Sequence, residues 1–289
     1  MIKKAVIPAA GYGIRFLPLT KSQPKEMIPI VDTPVIQYVV EEAVESGITD
    51  ILMIIGKGKR AIEEHFDRSP ILEESLIEKN NLEMLEKIRR ISTMANIHFV
   101  WQKEMNGLGD AILYAKYHVN NEPFAVLLGD TLVTGEGQPI IKQLIDVYDK
   151  YKSSVIAFEE VNSELVNQYG IIDGKLIEEN IYIASDWIEK PAIGEAPSNL
   201  AVASRYIFTP EIFSYLEKTK PGKNKEIKLT DAMRMMVKKK AMYGMKFNGK
   251  RYDIGNKLGF LKTNIEFGLN DEEIGEPLKI WLKEFVKEL

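Results

Sequence analysis

Two glycines and three cationic residues near the start of the chain have the types and spacing of a phosphate-binding segment. One residue separates Gly11 from Gly13, and Arg15, Lys21 and Lys25 follow within a stretch of eleven residues. Backbone N–H groups at glycines can surround phosphate oxygens, and the cations can stabilise a polyphosphate or a departing pyrophosphate. The alternative is an ordinary strand-to-loop turn followed by a solvated cationic loop, and these residues alone do not decide between the two.

The glycine loop differs from two common nucleotide-binding motifs. A Rossmann fingerprint needs a third glycine at position 16, where this chain has Phe16. A Walker A loop needs Gly-Lys followed by Ser or Thr, and the sequence contains no such triplet. If the loop binds a ligand, it is a phosphate- or base-binding loop of another kind.

The composition excludes several classes of protein. The chain has 289 residues, of which 45% are hydrophobic and 28% charged, so it is neither disordered nor collagen-like. Its 38 Lys+Arg and 42 Asp+Glu give a net charge of 38 − 42 = −4, which disfavours a nucleic-acid partner. Because there is no cysteine, thiolate chemistry, Cys-ligated zinc and disulfides are excluded. We expect a cytoplasmic protein with no membrane partner.

The elements that position the glycine loop follow an alternating strand and helix pattern. An apolar run at 5–7 predicts a buried strand directly before the loop. A helix is predicted next, with Thr33 as N-cap, Pro34 at the first helical position and Gly47 as the C-terminal cap. A second buried strand is predicted at 50–55. Such a strand–helix–strand unit is typical of a parallel sheet.

The same alternation continues and then changes after Tyr169. We predict, in order, helical segments at 59–66 and 70–95, a strand at 97–101, a helix at 108–118, a strand at 124–128, a helix at 138–150 and a strand at 153–158. Asp173-Gly174 predicts a tight hairpin turn within 171–177. Strands at 181–189 and 201–208 and helices at 210–218, 229–240, 255–268 and 277–288 complete the prediction. The fold class is α/β, a doubly wound, Rossmann-like, mostly parallel mixed sheet flanked by helices, with a small added β region and C-terminal helices.

Ordered motifs along nearly the whole chain resemble the bacterial and archaeal UTP–glucose-1-phosphate uridylyltransferases, which are sugar nucleotidyltransferases. The motifs that carry the resemblance are Gly11-x-Gly13-x-Arg15, Pro18-x-Thr20-Lys21, Pro24-Lys25-Glu26-Met27, Gln102 with Gly107-Leu108-Gly109, Gly129-Asp130, Tyr169-Gly170, Glu189-Lys190-Pro191, Pro197-Ser198-Asn199, Leu229-Thr230-Asp231 and Tyr252-Asp253-x-Gly255. The resemblance implies a nucleotidyltransferase fold of the glycosyltransferase-A-like type.

The resemblance also implies roles for particular residues. Nucleotide binding falls to Ala10, Gly11, Gly13, Gln102 and Gly107. The Gln102 amide carries a donor and an acceptor, as reading a pyrimidine edge requires. The implied catalytic residues are Arg15, Lys25 and Lys190, and the implied sugar-binding residues are Gly170, Glu189, Asn199 and Val202. The implied ligands of the Mg²⁺ cofactor are Asp130 and Asp253, since two carboxylates with phosphates and waters suit this ion.

The implied reaction transfers UMP from UTP to glucose 1-phosphate and yields UDP-glucose and pyrophosphate. We expect one nucleotidyltransferase domain over 1–289, in which 1–165 mainly binds the nucleotide and 166–260 mainly binds the sugar phosphate. The C-terminal helices at 261–289 are a candidate contact in a homodimer or homotetramer, as the resemblance implies. The same chemistry on dTTP or another sugar 1-phosphate, or a non-catalytic sugar-nucleotide sensor, are the alternatives.

Two positions depart from the pattern of the family. Ile14 stands where the family usually has threonine, so a hydroxyl near the triphosphate is absent. Asp110 stands where bacterial relatives commonly have histidine after Gly-Leu-Gly. The aspartate either adds a negative charge near the nucleotide or caps the helix that begins there.

Overall fold

The computed structural model describes residues 2–222, 225–252 and 254–288. The strands, in chain order, are β1 (Lys4–Ala9), β2 (Pro29–Ile30), β3 (Thr33–Pro34), β4 (Asp50–Ile55), β5 (Asn96–Trp101), β6 (Phe124–Leu127), β7 (Leu132–Gly135), β8 (Ser154–Glu160), β9 (Gly170–Glu178), β10 (Ile181–Glu189), β11 (Leu200–Phe208), β12 (Met242–Lys246) and β13 (Gly249–Tyr252). The α-helices are α1 (Val35–Glu45), α2 (Arg60–Phe66), α3 (Pro70–Glu78), α4 (Leu82–Thr93), α5 (Leu108–Leu113), α6 (Lys116–Val119), α7 (Ile140–Tyr151), α8 (Ile212–Leu216), α9 (Leu229–Val237), α10 (Lys257–Leu269) and α11 (Gly275–Phe285).

A nine-stranded mixed sheet forms the centre of the fold, in the order β5-β4-β1-β6-β11-β8-β12-β10-β9. The pairs β4–β5, β1–β4, β1–β6 and β8–β12 are parallel. Strands β10 and β11 run antiparallel to their neighbours, so they run opposite to the rest of this sheet. This arrangement confirms the predicted α/β class with a mixed sheet flanked by helices. Among the described residues, four strand pairs are parallel, and the five pairs that involve β10 or β11 are antiparallel.

Helices cover both faces of the sheet, which explains why its central strands are continuously apolar. Ala5, Ile7 and Ala9 of β1 pack in one core cluster with side chains of α1 and α7. Val6, on the opposite face, packs in a second cluster with side chains of α5, α8 and α9. Strands buried on both faces need apolar residues at successive positions. The core therefore fixes the register of β1, whose carboxyl end leads into the glycine loop.

The start of α1 differs from the prediction. Thr33 does not cap the helix: it pairs with Ile30 in the β2–β3 hairpin, and its hydroxyl donates to Asp32 Oδ1 at 2.8 Å. The helix begins at Val35 after Pro34. Gly47 has the left-handed φ of 84° that its predicted place after the helix requires.

Three further predictions were wrong in detail. The segments 70–95 and 108–118 each form two helices, α3 with α4 and α5 with α6. Asp173-Gly174 is not a hairpin turn, because β9 continues through it and pairs with β10, and the two strands are joined at 179–180. A register irregularity lies opposite Asp173-Gly174, and a Cβ at Gly174 would lie 2.8 Å from the Ile183 carbonyl oxygen. The glycine therefore permits a close approach of two strands.

Among the described residues, we find no helix long and apolar enough to cross a membrane.

Candidate active site

Two adjoining cavities lie beside the carboxyl ends of the parallel strands β1, β5 and β6 and beside the end of β10, which runs in the opposite direction. The loop cavity is lined by residues that include Ala10, Gly11, Gly13, Lys25, Glu26, Gln102, Gly107 and Asp130. The strand cavity is lined by residues that include Gly170, Glu189, Lys190, Val202 and Thr230. The two cavities share Leu108, Leu128 and Glu226 in their walls. The parallel strands β1, β5 and β6 thus deliver their following loops to the loop cavity, as in other open α/β sheets.

Gly13 allows the glycine loop to fold back over Lys25. Its φ of 67° is left-handed, and a Cβ there would lie 2.8 Å from the Cβ of Lys25. Thr20 holds this geometry, because its hydroxyl donates to the Gly13 carbonyl oxygen at 2.8 Å. Any side chain at position 13 would therefore displace the Lys25 backbone or strain the loop.

Lys25 pairs with Asp130 at the boundary of the loop cavity. The Lys25 ammonium donates to Asp130 Oδ2, and both side chains are only partly exposed. Burial alone would raise the pKa of Asp130, but the adjacent Lys25 outweighs it and the pKa is lowered. Burial alone would likewise lower the pKa of Lys25, but Asp130 and Glu26 raise it. Both groups are therefore charged near neutral pH.

A second ion pair is buried in the wall of the loop cavity. Lys59 Nζ donates to Glu26 Oε2 at 2.6 Å and to the Gly11 carbonyl oxygen at 2.7 Å. Glu26 is fully buried and Lys59 is 5% exposed. Glu26 Oε1 accepts no hydrogen bond from the described residues. Burial raises the pKa of Glu26 and lowers that of Lys59, and each charge opposes the shift of the other. The pair ties the glycine loop to the segment that carries Lys25.

Gln102 lies at the end of β5 and is 5% exposed. Its backbone N–H donates to the Ile55 carbonyl oxygen at 2.9 Å, which continues the β4–β5 pairing. Its side-chain Nε2 donates to Asp110 Oδ2 at 2.8 Å and to the Gly107 carbonyl oxygen at 3.3 Å. Asp110 is therefore engaged with the predicted base-reading residue.

The strand cavity brings together most of the predicted sugar-binding residues. A Cβ at Gly170 would lie 3.4 Å from Glu189 Oε2 and 3.6 Å from a Val202 methyl, so these three residues are close neighbours. Glu189 Oε2 accepts a hydrogen bond from Thr230 Oγ1 at 2.7 Å, which orients the carboxylate. Lys190 follows at the end of β10 with a left-handed φ of 49° and an exposed side chain. A non-glycine residue in this conformation is uncommon and often occurs at functional sites.

Not every predicted residue lies in these two cavities. Arg15 lines a neighbouring cavity, together with Lys25 and Asp130. Asn199 lies outside the lining of the strand cavity, and its Nδ2 donates to Glu160 Oε1 at 3.0 Å. The predicted metal ligand Asp253 lies outside the described residues. Lys21 is exposed and lines none of the three cavities.

The sequence prediction missed three residues with evident roles in these walls. Glu26 and Thr230 belong to motifs that were recognised, but neither was assigned a site role. Lys59 gave no signal, because a lysine between glycine-rich and helical segments reads as a solvated charge. Its burial appears only once α2 packs beside the glycine loop.

A third ion pair lies behind the segment that carries Asp130. Arg205 Nε donates to Glu42 Oε2 at 2.8 Å, and its Nη2 donates to the Thr131 carbonyl oxygen at 3.0 Å. Glu42 Oε1 also accepts the backbone N–H of Ile141 at 3.2 Å. This pair connects β11, α1 and α7 to the backbone directly after Asp130.

The donor set at this edge suits a hard cation held mainly by substrate. Within residues 2–222, 225–252 and 254–288 there is no group of three or more His, Asp or Glu side chains that could hold a metal ion. Asp130 offers one carboxylate beside the cations Lys25 and Arg15. Mg²⁺ commonly takes one or two carboxylates and completes its shell with phosphates and waters, so the residues fit it.

Comparison with known proteins gives matches over nearly the whole chain. Residues 4–267 match the family described as Nucleotidyl transferase. A Bacillus subtilis (strain 168) protein named UTP–glucose-1-phosphate uridylyltransferase is 51% identical, over 96% of this chain and 94% of its own. A UDP-glucose pyrophosphorylase solved with UDP-glucose has a TM-score of 0.86 and 46% identity, over 94% of this chain and all of that one. A UTP-bound enzyme from Acinetobacter baumannii has a TM-score of 0.91 and 39% identity, over 98% and 99% of the two chains. The chain therefore belongs to the nucleotidyl transferase family and, within it, to the UTP–glucose-1-phosphate uridylyltransferases.

Proposed function

We propose that this chain transfers UMP from UTP to α-D-glucose 1-phosphate and releases pyrophosphate with UDP-glucose. The observation that carries the proposal is the shared wall of the loop cavity and the strand cavity, beside Lys25 and Asp130. A nucleotide in one cavity and a sugar phosphate in the other can meet at that boundary. The names of the relatives supply the identity of the two substrates.

The chemistry needs no protein nucleophile. An oxygen of the sugar phosphate attacks the α-phosphorus of UTP, a new P–O bond forms, and the bond to the bridging oxygen of the pyrophosphate breaks. Lys190 orients the attacking phosphate, and Arg15 with Lys25 stabilises the negative charge of the leaving group. Glu189, held by Thr230, accepts hydrogen bonds from sugar hydroxyls. Gly170 and Val202 limit the space beside it, and Asn199 requires a movement of its side chain to take part.

Mg²⁺ is the proposed cofactor. When bound, it would neutralise phosphate charge. Asp130 would hold it from the loop after β6, and Asp253 is the second proposed ligand. The lowered pKa of Asp130 supports this role, because the carboxyl stays ionised near neutral pH.

The remaining parts of the proposal concern organisation. Residues 1–165 supply most of the loop cavity and 166–260 most of the strand cavity, as the cavity linings support. Exposed apolar side chains on α10 and α11 support a contact in a homodimer or homotetramer, among them Leu258, Leu261, Ile280 and Trp281. A cytoplasmic location agrees with the lack of cysteine.

Pyrophosphate release over a panel of substrates tests the proposal. The panel combines UTP, dTTP, CTP and ATP with glucose, galactose and mannose 1-phosphates, each with Mg²⁺ and with EDTA. We expect the highest kcat/KM for UTP with glucose 1-phosphate and loss of turnover with EDTA. A higher value for another pair would assign the chain to that substrate. Tight binding of UDP-glucose without release from any pair would identify a sensor.

A further inference from the structure

Asp110 lies near the start of α5 and contacts the residue that directly follows β5 on the neighbouring segment. It is in the first helical turn, where a carboxylate is favoured by the helix dipole. Its Oδ2, however, accepts a hydrogen bond from Gln102 Nε2 at 2.8 Å. The contact joins the helix that starts at Gly107 to the end of β5. Asp110 therefore has a specific partner in the loop cavity, beyond a general effect on the helix.

The contacts of Gln102 determine which way its amide points. An ionised aspartate only accepts hydrogen bonds, and so does the Gly107 carbonyl oxygen, 3.3 Å from the same nitrogen. The Nε2 group must therefore face Asp110 and Gly107, because the carbonyl Oε1 would repel both of them. Oε1 accepts no hydrogen bond from the described residues and is the group left for a ligand. An amide that could otherwise turn over is held in one orientation.

We infer that Asp110 sets the base preference of the site by holding Gln102 with its carbonyl oxygen toward the base. This inference rests on the proposed function, in which the loop cavity holds the nucleotide. Uracil and thymine carry a hydrogen on N3, which can donate to Oε1. Cytosine has an unprotonated N3, which would place an acceptor against an acceptor. Asp110 is thus a positioning residue that acts through Gln102 and favours UTP over CTP.

An isosteric change at position 110 removes the restriction. In Asp110→Asn the side chain at position 110 can either accept or donate a hydrogen bond. The Gln102 amide can then rotate by about 180°, which exchanges its nitrogen and its oxygen. We expect the ratio of kcat/KM for UTP to that for CTP to fall about tenfold, the cost of an unpaired buried polar group. The change should fall mainly on KM, because position 110 touches no reacting atom. Glu104→Gln is the matched control, because it removes one negative charge as Asp110→Asn does. Glu104 is exposed, and among the described residues its side chain is hydrogen-bonded only to Asn106.

Exchanging the two groups provides a positive test. In Gln102→Glu alone, the new carboxylate faces Asp110, and both UTP use and the UTP to CTP ratio should fall. In the double variant Gln102→Glu with Asp110→Asn, the amide on the helix donates to the carboxylate, which again leaves an oxygen toward the base. The ratio should then rise at least about threefold above that of Gln102→Glu, because the amide at position 110 again donates to residue 102. It should stay below wild type, because the Gly107 carbonyl oxygen still lacks its donor. Each ratio is measured on one preparation, so a partly unfolded sample does not alter it.

The outcomes separate this inference from the proposed function. Isothermal titration of UTP and CTP, without sugar phosphate, gives the same ratio where turnover is too slow to measure. A wild-type enzyme active on UTP whose ratio is unchanged in Asp110→Asn would overturn the role of Asp110 and leave the proposed function intact. A double variant no more selective than either single variant would also overturn it. A wild-type chain that binds neither nucleotide would contradict both proposals.

Discussion

Two ion pairs on opposite sides of one short segment differ in their exposure to solvent and in how completely their charges are paired. Lys25 and Asp130 meet on the cleft side, where their side chains are 24% and 34% exposed. Arg205 and Glu42 meet on the core side, where theirs are 1% and 8% exposed. The cleft pair uses one Asp130 oxygen in its contact, whereas the core pair has hydrogen bonds on both oxygens of Glu42 and on three nitrogens of Arg205.

The difference lies in how completely each charge is satisfied. A carboxylate that is to hold a cation must keep an accessible oxygen, and a lysine that is to contact phosphate must be able to leave its partner. A buried pair must instead have all its polar atoms matched, since an unpaired buried charge costs several kcal/mol. The fold places the satisfied pair directly behind the other, so Arg205 holds the Thr131 carbonyl oxygen next to Asp130.

The largest effect should come from the cleft pair. Asp130→Asn keeps the size of the side chain but removes the charge proposed to hold the cation. We expect kcat/KM for UTP to fall about a thousandfold or more, because charge stabilisation at phosphates is lost. The thermal unfolding midpoint should stay close to that of wild type. Asp146→Asn, an exposed aspartate paired with Lys142, is the control and should keep full activity. Activity near wild type in Asp130→Asn would remove this residue from the mechanism.

The core pair should show the opposite pattern. Glu42→Gln leaves the Arg205 guanidinium buried without its counter-charge, and we expect the free energy of unfolding to fall by about 3–5 kcal/mol. The kcat of the folded fraction should change less than tenfold. Urea titration and the pyrophosphate assay measure the two quantities. Glu45→Gln on the exposed side of α1 is the matched control. A loss of activity as large as in Asp130→Asn, at unchanged stability, would contradict the comparison.

Residues at the cleft pair were predictable from sequence, and those at the core pair were not. Lys25 follows a recognisable glycine loop, and Asp130 follows an apolar strand whose carboxyl end must lie at the ligand edge. Glu42 sits 163 positions from Arg205, and in the sequence it is one of two adjacent glutamates on a helix. Only the packing of α1 against β11 shows that it is buried. The local sequence pattern can therefore locate functional residues on loops that follow parallel strands. It cannot reveal an ion pair between residues that lie far apart in the sequence.

The part of the sheet that contains the antiparallel strands β10 and β11 also shows where prediction from local sequence fails. The strands at 181–189 and 201–208 were predicted correctly. The predicted turn at Asp173-Gly174 was wrong, because β9 continues through these residues and pairs with β10 along its length. Strands β12 and β13 were missed because each contains a glycine and at least one charged residue and lacks the continuous apolar run that revealed the similarly short β6. Glu189 and Lys190 were still located, because they end a strand. Asn199 was assigned to the sugar through a motif alone, and its side chain bonds elsewhere.

The ion pair between Lys59 and Glu26 is intermediate between the cleft pair and the core pair. Like the core pair it is buried, at 6% and 1% side-chain exposure. Unlike the core pair, it leaves Glu26 Oε1 without a hydrogen-bond partner among the described residues, and Glu26 is one of the residues that line the loop cavity. Lys59→Met keeps the length of the side chain and removes the ammonium. The Glu26 carboxylate then loses its donor, and the Gly11 carbonyl oxygen loses its restraint.

Lys59→Met should therefore lower both the stability of the protein and its activity on UTP. The loss of stability should be smaller than in Glu42→Gln, and the loss of activity should be smaller than in Asp130→Asn. We expect the free energy of unfolding to fall by about 2–3 kcal/mol, the cost of an unsatisfied buried polar group. The KM for UTP should rise about tenfold with kcat little changed, since the glycine loop is proposed to bind the nucleotide equally in the ground state and in the transition state. Lys57→Met, two residues away and exposed, is the control. A variant that lost stability with an unchanged KM would place this pair with Glu42 and Arg205, and one that lost only kcat would place it with Asp130.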